Sequence, residues 1–193
     1  RSLASLSPTP PAFTALRGFQ GNGTSARIDL GVPASALTKY TQSASHIAFY
    51  VQQGDGSTNL WTGADDSGSG FSSLVVSGTT TSADFRLQTG SVANSMIQGG
   101  QSGLHIADRQ SSTVASWMRN GVDTESNKLV TTAISVASSN LTALARNTGG
   151  SFSSHSGSRL AMMSVGGTLG ASGRAAISVV TNAYMTSVGA NTY

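Results

Sequence analysis

Short runs in which apolar and polar residues alternate fill most of the chain from Phe13 onward, and turn-forming residues separate them. A period of two places the apolar side chains on one face, which is typical of a half-buried β-strand. The pattern predicts strands over residues 12–19, 25–30, 45–52, 58–63, 71–76, 82–88, 103–109, 113–119, 122–130, 141–146 and 158–164. Many such strands predict an all-β, antiparallel β-sandwich.

The turn residues support several of these boundaries. Asn120-Gly121 separates two strand-like runs, and Asn-Gly is the strongest signal for a two-residue hairpin because both positions must accept positive φ. Residues 65–70 (DDSGSG) have the composition of a flexible loop. Asp29 follows the Gly-Asn-Gly-Thr segment at 21–24, and we expect its carboxylate to order that turn by accepting backbone hydrogen bonds.

The C-terminal segment changes period. Apolar residues recur there at spacings of three and four, which traces one face of a helix; they are Leu169, Ile177, Val180, Tyr184 and Val188. Thr168 is the expected N-cap and Gly189 the expected C-cap, so a helix is predicted over about 170–189. This apolar stripe is expected to pack against the sandwich as core.

Length and composition bound the class of protein. The 193 residues suit one large sandwich, so residues 12–193 are predicted to form a single domain after a Ser/Pro-rich connector at 1–11 that continues an upstream polypeptide. Only 10% of the residues are charged, while Gly, Ser and Thr are abundant. That composition predicts a neutral, hydroxyl-rich surface, as in extracellular adhesive or structural proteins.

Charge, the length of apolar runs and cysteine content argue against several classes of protein. The net charge is only +3 and the basic residues are scattered, whereas a nucleic-acid-binding protein needs a clustered basic face. No apolar run is long enough to span a membrane, so no membrane insertion is expected. The chain has no cysteine, which excludes disulfides and favours a bacterial or viral source.

Several motifs along the chain resemble one family. The segment GFQGNGTSARIDLGV at 18–32, the Trp-Met-Arg-Asn-Gly hairpin within 109–121, LARNTGG at 144–150 and the closing run at 159–189 are similar to concanavalin A/laminin G-like domains of phage and prophage virion proteins. The resemblance covers residues 13–189. It implies a jelly-roll sandwich with one C-terminal α-helix, located in a virion or outside the cell, in a tail fibre or tailspike type of protein.

Carbohydrate binding would need an aromatic platform beside amide and carboxylate groups. Trp61 is the best candidate, because Asn59 precedes it and the Asp65-Asp66 pair follows it. Tyr50 and Phe71 are expected nearby. Trp117 has two open interpretations, core packing or a second platform.

Calcium is the cofactor to consider, since it prefers six to eight oxygen ligands and relatives of the resembled fold often hold one. Asp55, Asn59, Asp65 and Asp66 offer such oxygens, although solvated loop aspartates are the favoured interpretation. Otherwise no cofactor is expected. The three histidines, His46, His105 and His155, have no metal-ligand spacing.

Three functions remain open. The first is non-enzymatic recognition or adhesion in a phage virion, with a bacterial surface polysaccharide as partner. The second is a structural capsid-decoration or tail-assembly module that contacts other virion proteins as a homo-oligomer, for which a trimer would suit a fibre tip. The third, a glycan hydrolase or lyase, is disfavoured because Glu125 is the single glutamate and no paired-carboxylate motif is present, so no catalytic residue is predicted.

Overall fold

The computed structural model describes residues 9–56, 60–66, 70–76, 82–87, 94–97, 102–130 and 135–192. Within these residues the secondary structure is almost entirely β, with one α-helix near the C-terminus. The elements in chain order are β1 Ala12–Thr14, β2 Gly18–Gln20, β3 Ile28–Pro33, β4 Ser45–Gln53, β5 Leu60–Asp66, β6 Gly70–Val76, β7 Ser82–Leu87, β8 Asn94–Ile97, β9 Gly103–Arg109, β10 Val114–Arg119, β11 Val122–Leu129, β12 Asn140–Ala143, β13 Arg146–Thr148, β14 Ser151–Ser153, β15 Arg159–Gly166 and α1 Gly170–Ser187.

The strands form two sheets. The first sheet has the order β1-β2-β15-β4-β9-β10-β11, and the second contains β14-β13-β5-β6-β7-β8. Strand β12 joins the second sheet by pairing with both β5 and β3. All of these pairings are antiparallel except that between β13 and β5, which is parallel. The predicted all-β sandwich with one C-terminal helix is confirmed.

Three layers lie on top of one another. The main apolar core contains side chains from both sheets, among them Phe49 and Trp117 of the first and Leu60 of the second. A smaller cluster joins the first sheet to α1 through residues such as Tyr50 and Met185. Strand β4 is buried on both faces as a result, which explains its nearly continuous apolar sequence.

The predicted hairpin at Asn120-Gly121 is confirmed. It connects β10 to β11, and both residues have positive φ, +48° and +81°. The Asn120 side chain also accepts a hydrogen bond from the Leu104 amide at 2.8 Å, which ties the turn to β9. This second contact fixes the hairpin against the sheet that carries α1.

Several strand boundaries differ from those expected. The predicted strand 12–19 is divided into β1 and β2 by a turn in which Leu16 has φ of +61°. Residues 65–66, expected in a loop, end strand β5, while 67–69 lie outside the described residues. The short strands β8, β13 and β14 were not predicted, because a strand of three or four residues gives too little alternation to detect.

The face that α1 buries is not the predicted one. Arg174, Ser178, Thr181 and Met185 are its buried residues, whereas Val180 and Tyr184 are 68% and 54% exposed. Ile177 and Val188 pack at the edge of the contact. The expectation that the stripe through Val180 and Tyr184 forms core is therefore wrong, because a buried ion pair at Arg174 determines which way the helix faces.

The helix ends also differ in part. The Asp108 carboxylate of β9 accepts hydrogen bonds from the Thr168 hydroxyl and from the amides of Leu169 and Gly170, at 2.9–3.1 Å. A side chain from a neighbouring strand thus caps the helix, and the prediction of Thr168 as N-cap is wrong. Gly189 follows the helix with φ of +62°, as expected for a residue that ends it.

Candidate functional site

An open cleft of about 600 Å³ lies on the second sheet, where β3, β5, β12, β13 and β14 meet. Its lining contains two carboxylates, Asp29 and Asp66, the segment 138–140, Asn147 and the β13–β14 turn with Phe152. The walls therefore combine hydrogen-bonding groups with one aromatic ring. Both kinds of group can contact a small polar ligand, the first through hydrogen bonds and the second through stacking.

Asp66 holds one wall of the cleft in place. Its carboxylate accepts hydrogen bonds from the amide and the hydroxyl of Ser138 and from the amide and the hydroxyl of Ser139. Partial burial raises the pKa of Asp66, but these four hydrogen bonds outweigh it, and the pKa lies below its ordinary value. Asp66 is therefore an ionised clamp between β5 and the segment that precedes β12.

Asn147 fixes the opposite wall. Its amide nitrogen donates to the Asn140 carbonyl oxygen at 2.8 Å, and its side-chain oxygen accepts from the Gly150 amide at 3.0 Å. The residue is 2% exposed, so its hydrogen-bonding groups serve the protein and not a ligand. It shapes the turn that carries Phe152 into the cleft.

Asp29 and Asn140 retain hydrogen-bonding capacity toward the cleft. Asp29 Oδ1 accepts from the Gly31 amide at 2.8 Å, while Oδ2 has no partner among the described residues. The Asn140 side chain likewise has no hydrogen bond within the described part of the chain. These two side chains are the ones best able to bind hydroxyl groups of a ligand.

Phe152 supplies the aromatic surface. The Arg27 guanidinium stacks on its ring at 3.7 Å from the ring centroid, which orients the ring. Burial lowers the pKa of nearby His155, and the positive charge of Arg27 lowers it further. A neutral His155 avoids repulsion with Arg27.

The sequence did not predict Phe152, Asn140 or Asn147 as site residues. Phe152 lies in a three-residue strand surrounded by serines, where nothing in the sequence distinguishes it from a core residue. Asp29 was expected to order the turn at 21–24, but Asn22 does so by accepting from the amides of Thr24, Ser25 and Ala26. Asp29 instead bonds Gly31, which leaves it at the cleft.

Among the predicted site residues whose side chains the structure describes, only Asp66 lies at this cleft. Asn59 and the Trp61 side chain lie outside the described part of the structure, as does the side chain of Phe71. Asp65 is fully buried and forms an ion pair with Arg146, Oδ2 to Nε, at 3.0 Å. Adjacent residues of a strand point to opposite faces, so Asp65 and Asp66 do not act together.

Tyr50 and Trp117 are both fully buried, at 0% exposure. Tyr50 lies under α1, and its hydroxyl accepts from the Thr192 amide at 2.6 Å. Trp117 packs in the main core with His105 at its ring edge, the centroids 5.6 Å apart. A buried ring offers no face to a sugar, so the expectation that either residue binds a ligand is wrong, and core packing is the correct interpretation of Trp117.

Of the four calcium candidates, Asn59 lies outside the described residues, and the three aspartates contact three different segments. Asp55 Oδ2 accepts from the Gly157 amide at 2.8 Å and from the Ser156 hydroxyl at 3.2 Å. Asp65 pairs with Arg146, and Asp66 bonds Ser138 and Ser139. Across the described ranges, no three carboxylate or histidine side chains converge in a way that would hold a metal ion. The prediction of a calcium site at these residues gains no support.

Comparison with known proteins gives no family. No protein-family model and no curated protein matches the chain. The resemblance to concanavalin A/laminin G-like virion domains therefore stays a prediction. Within the described residues, no helix has the length and apolar character that crossing a membrane requires.

Proposed function

We propose that the chain is a non-enzymatic recognition domain of a phage virion, which binds a bacterial surface polysaccharide in the cleft of the second sheet. The observation that carries the proposal is the presence of Phe152, Asp29 and Asn140 in one open cleft. A sugar ring has an apolar face that stacks on an aromatic ring and hydroxyl groups that donate to carboxylate and amide oxygens. Phe152 and the two polar side chains supply both kinds of contact.

The rest of the chain supports recognition at an exposed surface. Charged residues are few, and the hydroxyl-rich composition suits contact with a hydrated glycan better than binding to a charged macromolecule. The motifs that resemble virion domains favour the phage setting and an extracellular location. The polysaccharide is the partner in this proposal.

A hydrolytic role is disfavoured by the chemistry of the cleft carboxylates. Glycoside hydrolysis needs an acid whose pKa is raised, so that it can protonate the leaving oxygen, and a second carboxylate across the scissile bond. The pKa of Asp66 is lowered, and its oxygens already accept four hydrogen bonds. An ionised Asp66 whose oxygens already accept hydrogen bonds from Ser138 and Ser139 is poorly suited to donate that proton.

Binding to bacterial polysaccharides tests this function. Capsular and O-antigen polysaccharides are immobilised, and the affinity of the wild-type chain is compared with that of Phe152→Ala and Asn140→Ala. We expect each variant to bind about tenfold more weakly, a loss of about 1.4 kcal/mol. Phe13→Ala is the matched control, because Phe13 is an exposed phenylalanine on the other sheet.

Two outcomes would overturn the proposal. One is the failure of the wild-type chain to bind any polysaccharide of the panel. The other is equal binding by wild type, Phe152→Ala and Asn140→Ala, because that result places the site elsewhere. Release of reducing ends from a bound polysaccharide would show an enzyme instead.

A further inference from the structure

Asp29 differs from the other described carboxylates in how its charge is met. Its side chain accepts one hydrogen bond, from the Gly31 amide at 2.8 Å, and it pairs with no cation among the described residues. The other carboxylates whose side chains the structure describes each accept two or more hydrogen bonds or pair with an arginine: Asp55 with Ser156 and Gly157, Asp65 with Arg146, Asp66 with Ser138 and Ser139, and Asp108 and Asp123 with Arg174. The negative charge of Asp29 is therefore met mainly by solvent at the cleft.

The walls around Asp29 do not balance its charge. They contain a second carboxylate, amides, hydroxyls and one aromatic ring, and no lysine, arginine or histidine is among the described residues that form them. Arg27 stacks on the ring of Phe152 but does not line the cleft. Arg146 pairs with Asp65, whose side chain points to the other face of β5. The whole chain has a net charge of +3, yet the lining of this cleft is negative.

We propose that the glycan bound in this cleft carries free amino groups, and that the ammonium of an amino sugar pairs with Asp29. This inference rests on the proposed function of the cleft. A ligand that covers Asp29 removes water from its carboxylate, which costs free energy unless an opposite charge takes the place of the water. A sugar hydroxyl supplies a hydrogen bond but no charge, whereas a protonated amine supplies both, and such charge-assisted hydrogen bonds are the stronger ones.

The same charges act against acidic glycans. A uronic acid or a phosphate group would bring a further negative charge into a cleft that already holds Asp29 and Asp66, and like charges in contact are unfavourable. Asp66 does not relieve this repulsion by taking up a proton, because its four hydrogen bonds hold its pKa below the ordinary value. Phe152 and Asn140 offer contacts that any sugar can use, so Asp29 is the residue that selects among classes of sugar.

Chemical N-acetylation of the glycan isolates the charge of its amino groups. A bacterial polysaccharide that carries free amino groups is compared with the same polysaccharide after treatment with acetic anhydride, which converts each amine into a neutral amide. The wild-type chain should bind the untreated form about tenfold more tightly, and added salt should weaken binding of that form alone. Asp29→Asn keeps an oxygen for the Gly31 amide and should bind both forms equally. Ser43→Lys changes the net charge by the same amount at an exposed position outside the cleft and should keep the preference.

The possible results separate this inference from the proposed function. Equal binding of both forms by the wild-type chain, with both weakened by Phe152→Ala, overturns the amino-sugar inference and leaves glycan binding in the cleft intact. A preference that persists in Asp29→Asn, or equally tight binding of a polysaccharide that carries uronic acids, also overturns it. A wild-type chain that binds no polysaccharide overturns both proposals. The comparison of the two forms by the wild-type chain needs no variant, so it decides the question even if Asp29→Asn fails to fold.

Discussion

Asp108 Oδ2 on β9 accepts a hydrogen bond from Arg174 Nη1 on α1 at 2.8 Å, and both side chains are almost completely buried. The same guanidinium binds Asp123 of β11 at 2.9 Å, and Asp108 also caps the first turn of the helix. Burial lowers the pKa of Arg174, but the hydrogen bonds to the two carboxylates outweigh it and raise the pKa above its ordinary value. This cluster orients α1 against the first sheet.

Replacement of Arg174 by methionine tests that role. The variant keeps the aliphatic part of the side chain but leaves Asp108 buried without its cation, which costs about 3–5 kcal/mol when one partner of a buried pair is removed. Urea unfolding should show this decrease in the free energy of unfolding. Arg17→Met, at a position with no carboxylate partner among the described residues and an exposed hydrogen bond to the Gly189 carbonyl, should cost less than about 1 kcal/mol.

Gly18 and Gly31 form a matched pair that separates backbone strain from steric clash. Both have positive φ, +97° and +65°, but a Cβ on Gly18 would lie 2.1 Å from the Leu160 carbonyl oxygen, and one on Gly31 would meet nothing. Gly31→Ala should therefore cost about 1–2 kcal/mol, the cost of left-handed backbone for alanine. Gly18→Ala should cost clearly more in the same thermal unfolding measurement. Equal costs would show that β2 can move away from β15.

The lowered pKa of Asp66 predicts that the free energy of unfolding depends on pH. Because its pKa in the folded chain lies below the ordinary value of 3.8, the stabilisation is fully present above that value and is lost as the pH falls through the lowered pKa. Asp66→Asn should destabilise the chain by about 2 kcal/mol near neutral pH, since hydrogen bonds to a charged acceptor are lost. Between about pH 5 and about pH 2, the variant should lose less stability than the wild type. Parallel pH profiles of the two proteins would contradict this assignment.

The sequence alone predicts those structural features that depend on residues adjacent in the chain. The Asn120-Gly121 hairpin, the alternating strands and the position of Gly189 after the helix all depend on neighbouring residues. The face of α1 was not predictable in this way. Spacing alone favours Ile177, Val180 and Tyr184, whereas the observed orientation follows from carboxylates on β9 and β11 that are distant in sequence.

The candidate site shows the same limit. Trp61 and Trp117 were predicted as candidate sugar platforms because tryptophan often has that role. Trp117 is buried instead, and its burial depends on how the two sheets pack, which local sequence does not determine. Asp29 lies far along the chain from Asn140 and Phe152, and the pairing of β12 with both β3 and β5 brings these segments together. No spacing rule connects them, and so the cleft becomes visible only in the folded chain.

The most direct test of the proposed function is the mapping of amide chemical shifts by NMR during titration with oligosaccharides prepared from a bacterial surface polysaccharide that the chain binds. We predict that the largest changes occur at residues 138–140 and 149–152, around the ring of Phe152 and the clamp formed by Asp66. Shifts concentrated on another surface, with these two segments unchanged at saturation, would contradict the assignment of the cleft as the glycan-binding site.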